Sequence, residues 1–207
     1  DADQNGELLD KLKAIRKQLA GELGVVIPPI KVRDNLQLKA GEYAIFIKGV
    51  EMGKGELLLG HLLAMGADEQ HRIPDAIPTR EPVFNLEASW VKEKDRDRYT
   101  SDGFTIVDHA TVVATHLTEI LRNNAHELMT RQEVQKLLDG IASTHQKVVE
   151  ELSQNGAGVG VVQKVLQNLL REQVSIRDLA TILETIADYA MSTKDPDVLT
   201  EFVRQRM

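Results

Sequence analysis

The sequence predicts a predominantly helical α+β fold. A small α/β part runs to about residue 128 and carries a loop-rich insert, and an all-α helical bundle follows. Three observations predict it. From Asp108 onward apolar residues recur at helical spacing with few interruptions. Glu42–Met52 (EYAIFIKGVEM) is instead rich in β-branched and aromatic residues, the composition of a strand. Between Gly53 and Leu86 both periods fade, and Gly53, Gly55, Gly60 and Gly66 precede Pro74, Pro78 and Pro82, as in backbone shaped by turns.

Taken in chain order, Leu8, Leu12, Ile15, Leu19 and Leu23 lie at steps of three and four and predict a helix over Glu7–Leu23. Gly24 ends it, because glycine takes the left-handed conformation that closes a helix. Val25–Ile27 and Ile30–Arg33 read as a short strand broken by Pro28-Pro29, with Asp34-Asn35 turning after it. Glu87–Arg98 reads as a short helix around Trp90, and Phe104–Val107 as a strand introduced by Gly103. Asp108 is a fitting N-cap for a long helix to Met129. Five further helices follow, marked by Val134/Leu138, Val148/Leu152, Val162/Leu166/Leu170, Leu179/Leu183/Ile186 and the Asp195-Pro196 start. The GAGVG run at 156–160 is a turn into the third of these.

Composition excludes several classes. A hydrophobic content of 42% with 28% charged residues describes a globular chain, and aromatics at 4% leave the core to Leu, Ile and Val. The net charge of −7 is the wrong sign for a protein that neutralises phosphates. The absence of cysteine removes disulfides, thiolate chemistry and Cys-based zinc sites. No apolar run approaches the ~20 residues a bilayer span needs, and the polar start of the chain is unlike a signal peptide.

The candidate chemistry is thin. His116, Glu119 and His126 stand at offsets of three and seven on one helix. A zinc site needs three or four convergent ligands, which one helix seldom supplies, so these read as ordinary helix positions and no metal or other cofactor is expected. The glycines at 49–60 lack the order of a phosphate loop and read as a turn between strands. No nucleophile elbow is present, and Glu150-Glu151 reads as a solvated helix face. These readings predict a protein that is not an enzyme. Phe84 stays open on the residues alone. In the loop EPVF, beside acidic Glu81, it either plugs the core of a small subdomain or stands exposed as an anchor for a partner. Thr115 is unremarkable by itself.

Five blocks carry a family likeness: GELLDKLKAIRKQLAGELGVVIPPIKVRDNLQL, EYAIFIKGVEMGKGE, GFTIVDHATVVATHLTEIL, ELMTRQEVQKLLD, and KVLQNLLREQVSIRDLATILETIADYA with TKDPDVLTEFVRQRM. In this order they resemble the cytoplasmic domain of the FlhA family, the flagellar type III secretion export-gate proteins. Virulence injectisomes have a homologous gate, but the wording here is more flagellar. The resemblance implies one subdomain over 1–59 plus 109–128, with its first strand missing. It implies an inserted subdomain over 60–108, a helical bundle over 129–207, and no fourth, C-terminal subdomain. It implies a docking platform on the cytoplasmic side of the bacterial inner membrane, in a full-length protein that is an integral membrane protein. That platform would bind export chaperones carrying late substrates, touch other export-apparatus components and assemble as a nonameric ring. The family's docking residues correspond here to Glu81, where Asp is usual, and to Phe84 and Thr115. The alternatives are the injectisome homologue and a purely structural ring or scaffold domain without a ligand cleft.

Overall fold

The computed structural model describes residues 2–66 and 76–207, with side chains from Gly6 onward. The expected turn residue Pro74 lies outside the described residues. The chain forms two compact units: Asp1–Ile15 with Ile30–Ile120, and Arg16–Pro29 with Leu121–Met207.

The first unit begins with α1 (Ala2–Leu23) as far as Ile15, and Leu12 and Ile15 of its apolar stripe are buried. The chain then runs extended to Asn35, whose side chain accepts from Gln37 N at 2.9 Å to make the turn. Ile30–Arg33, expected as a strand, joins no ladder among the described residues. The expected strand Glu42–Met52 is a hairpin, β1 (Glu42–Ile47) against β2 (Val50–Glu56). Lys48 and Gly49 both have positive φ, 51° and 82°. That is the two-residue turn whose twist matches paired strands, and Gly49 is what permits it. An open cavity of about 820 Å³ is lined by Ile30–Leu36 on one side and Glu42–Phe46 on the other, with Leu8, Leu12 and Leu117 also facing it.

A second, four-stranded antiparallel sheet holds β3 (His61–Met65), β4 (Ile77–Arg80), β5 (Glu87–Lys92) and β6 (Thr105–Val107) in the order β4-β5-β3-β6. Among the described residues the stretch from Gly53 to Leu86 supplies β3, β4 and the end of β2 between its turns. One expectation is corrected here. Trp90 lies on a strand rather than a helix. Leu63 pairs with Trp90 and Leu62 with Val91, so successive residues face opposite sides of the sheet. Leu62, Ala64, Val91 and Tyr99 form one cluster; Leu63, Ala88, Trp90 and Val112 form the other. Tyr99 comes from α2 (Arg96–Ser101) and Val112 from α3 (His109–Asn123), so each face of the sheet is covered by a helix. Of the helix expected over Glu87–Arg98, Glu87–Lys92 is a strand, because burying alternate side chains on both faces outweighs local propensity, while Arg96–Arg98 falls in α2.

The expected helix from Asp108 to Met129 is divided. Asp108 does cap α3, accepting from Thr111 N at 2.7 Å, but α3 stops at Asn123. A short helix α4 (Ala125–Leu128) follows.

The second unit also contains α5 (Arg131–Ala142), α6 (Gln146–Gln154), α7 (Val159–Arg171), α8 (Leu179–Tyr189) and α9 (Pro196–Arg206). These are the five helices the apolar stripes predicted. Helix α7 is central: Val162, Val165, Leu166, Leu169 and Leu170 are all buried. Against it and its neighbours lie Val134, Ile182, Leu183, Ile186, Leu199 and Val203, each fully buried. Such a core stabilises by roughly 1.5–3 kcal/mol per large side chain removed from water. The caps follow the sequence: Asp178 accepts from Thr181 N, and Asp195 accepts from Asp197 N with Pro196 in the first turn. Gly24 ends α1 at φ 79°, and its Cα faces the Ile176–Arg177 backbone too closely for a side chain.

Candidate docking site

The three residues singled out by sequence all lie in the first unit. Arg80 and Glu87 are the last pair of the β4–β5 ladder, so Glu81–Leu86 is the turn that joins these strands. Glu81 is buried, at 6% exposure. Its Oε2 accepts from Val83 N at 2.8 Å, and its Oε1 accepts from Phe84 N at 2.6 Å and Leu86 N at 3.1 Å. Glu81 N in turn donates to Leu86 O at 3.0 Å. Asn85 takes a left-handed φ of 58°, which asparagine tolerates, and its carbonyl accepts from Arg80 Nη1 at 2.7 Å. Charge-assisted bonds of this kind are about twice as strong as neutral ones, so the turn is held from within.

On this frame Phe84 is 64% exposed, Leu86 58% and Ile77 48%. Phe84 therefore does not plug the core of its subdomain. The burial of Glu81 and the exposure of Phe84 are two sides of one arrangement: the acid points inward to collect amides, and the ring points outward.

Thr115 is exposed on α3, where its hydroxyl donates to Thr111 O at 2.8 Å. The next residue, His116, is buried, and its Nδ1 and the Tyr43 hydroxyl hydrogen-bond at 2.8 Å, with the rings edge to face at 5.7 Å. Burial pushes the Tyr43 phenol up to about 12, and the negative charge of Glu81 adds to the rise. Burial pushes His116 below its ordinary value, while the charge of Glu81 opposes that shift. So Glu81 and Phe84 are joined by a direct hydrogen bond. Thr115 is tied to neither by one, and Glu81 bears on its neighbour His116 through charge.

Two strand glycines make room for this pair. A Cβ on Gly53 would lie 2.5 Å from Ile120 Cδ1 and 3.0 Å from His116 Nε2, and one on Gly55 would lie 2.5 Å from the Tyr43 hydroxyl oxygen. The glycines at 53 and 55, expected as a turn, are therefore inside β2, where side chains from β1 and α3 cross them. Helical spacing presents His116 as a metal candidate and not as the partner of Tyr43. The alternation of Tyr43 with Ile45 on β1, opposite two glycines two residues apart, was the available signal.

The residues present do not converge on a metal: among the described residues no group of three or more His, Asp or Glu side chains is placed to hold one. His109 instead hydrogen-bonds Leu58 O at 3.0 Å and meets the Trp90 ring edge to face. Among the described residues no helix is long and apolar enough to cross a membrane.

A family model described as the FHIPEP family matches residues 1–207. The flagellar biosynthesis protein FlhA of Bacillus subtilis is 49% identical over 207 residues, covering 100% of this chain and 31% of that protein. The chain thus spans about a third of the length of that relative. Among solved structures, the Chlamydia pneumoniae CdsV protein superposes with a TM-score of 0.83 at 25% identity, covering 97% of this chain and 58% of that one. The Shigella flexneri MxiA protein superposes with a TM-score of 0.71 at 26% identity, covering 96% and 61%. The fold is that of export-gate cytoplasmic domains.

Proposed function

Since the chain belongs to the FHIPEP family, which includes the flagellar export-gate protein FlhA, we propose that it is a cytoplasmic docking platform of a bacterial flagellar type III export gate. It binds complexes of export chaperone and late substrate and helps order their export, without bond chemistry. The observation that carries this reading is Phe84, 64% exposed on a turn fixed by its own buried acid. An exposed, preorganised aromatic is the kind of residue that dominates a binding interface. An amphipathic chaperone helix lays its apolar face over Phe84, with the polar edge of the contact at Thr115. The 49% identity to a flagellar protein supports the flagellar assignment over the injectisome one.

On this reading the chain lies on the cytoplasmic side of the inner membrane, in a longer membrane protein that assembles as a nonameric ring. Residues 1–59 with 109–128, 60–108 and 129–207 act as its subdomains. Calorimetric titration with a purified flagellar chaperone–substrate complex tests the function. Saturable binding by the folded chain supports it, and absence of binding turns the reading to a scaffold without a ligand cleft.

A further inference from the structure

We propose that Glu81 is a positioning residue of the docking turn, which holds Phe84 and Leu86 out toward the partner and does not itself touch it. The docking half of this inference rests on the function proposed above; the clamp half does not. Three backbone amides of one turn, those of Val83, Phe84 and Leu86, converge on the two oxygens of Glu81 within 3.1 Å. At 6% exposure, little of that side chain is left for a partner. The fourth constraint is Arg80, which holds the carbonyl of Asn85. Backbone at 83, 84, 85 and 86 is thus tied, and with it the direction of each Cα–Cβ bond.

The side chains so aimed are apolar and exposed, Phe84 at 64% and Leu86 at 58%. A turn whose backbone is fixed before binding loses little backbone freedom on contact, which raises affinity without adding contacts. Leu86 therefore belongs to the docking surface together with Phe84, and the surface fits the apolar face of an amphipathic helix. A partner needs no cation to answer Glu81, because its charge is already answered by amides of its own turn.

A double-mutant cycle separates the two roles. With the 207-residue chain and a purified flagellar chaperone–substrate complex, Glu81→Ala weakens binding by roughly fivefold or more in the wild-type background. It loses much of that effect in the Phe84→Ala background, since only Leu86 is then left to position. Equal losses in both backgrounds overturn the proposal, because they mean direct contact.

Hydrogen exchange on the free chain gives a readout that needs no partner. In Glu81→Ala, and to a smaller extent in Glu81→Gln, the amides of Val83, Phe84 and Leu86 exchange about tenfold faster or more while those of the β3–β5 ladder keep their rates. Unchanged rates at the three amides overturn the clamp. Should wild type bind no complex, the docking reading fails, and the exchange rates still decide whether Glu81 holds the turn.

Discussion

Tyr43 on β1 and His116 on α3 are joined by a 2.8 Å hydrogen bond between the phenol oxygen and Nδ1. In the neutral tautomer that carries its proton on Nε2, His116 accepts at Nδ1 and the Tyr43 phenol donates. The bond pins the α3 turn that presents Thr115 to the β1–β2 hairpin, over the two glycines that leave space for it.

The titration of His116 follows from its burial. Its folded pKa lies below the unfolded value of 6.5, so the unfolded chain takes up the proton first as pH falls. The stability that neutral His116 contributes is complete above 6.5 and is lost progressively below it. Nitrogen-detected NMR on the imidazole will show a midpoint under the ordinary value, and Glu81→Gln will lower it further, because the charge of Glu81 pulls it up. A midpoint that rises in Glu81→Gln contradicts this electrostatic arrangement.

Two glycine substitutions will have opposite signs. Gly53→Ala places a methyl 2.5 Å from Ile120 Cδ1 and 3.0 Å from His116 Nε2, an overpacking that costs about 1–3 kcal/mol. Gly140→Ala, in the exposed interior of α5 with nothing within 4 Å, stabilises by about 0.5–1 kcal/mol through helix propensity. Urea midpoints read both; a neutral Gly53→Ala would mean that α3 does not cross β2 at that point.

Acid sensitivity has a second source in Asp108. Burial raises its pKa, but the backbone and hydroxyl of Thr111 and the charges of Lys11 and Arg96 outweigh that and hold it below the usual carboxylate range. A depressed folded pKa contributes stability that is full above the unfolded value and is lost as pH falls through the folded one. Asp108→Ala will therefore cost about 1 kcal/mol at neutral pH, the worth of an N-cap, and less in acid, where the wild type has already lost it. Denaturation curves at neutral and acidic pH compare the two.

The helices of the second unit were legible because each buries one stripe, from Val162 to Leu170 on α7 and at Ile182, Leu183 and Ile186 on α8. The strands were harder to read. The hairpin inside Glu42–Met52 depends on a Lys48-Gly49 turn that is two residues long and interrupts no apolar run. Trp90 sits on a strand because Ile77 and Leu63 flank it, a long-range fact that composition does not carry. Glu81, Phe84 and Thr115 came from a family resemblance. That Glu81 turns inward onto its own amides became visible only with the β4–β5 turn in place, and the Tyr43–His116 bond spans 73 positions of sequence.

Exposed Phe84 is the proposed anchor of a chaperone–substrate complex. Its most direct test is calorimetric titration of the wild-type chain and of Phe84→Ala with a purified flagellar chaperone–substrate complex, with urea stability measured alongside. Phe84→Ala will leave stability unchanged, since the ring is 64% exposed, and will weaken binding at least about tenfold, equivalent to about 1.4 kcal/mol. Binding of equal strength by both proteins would contradict it.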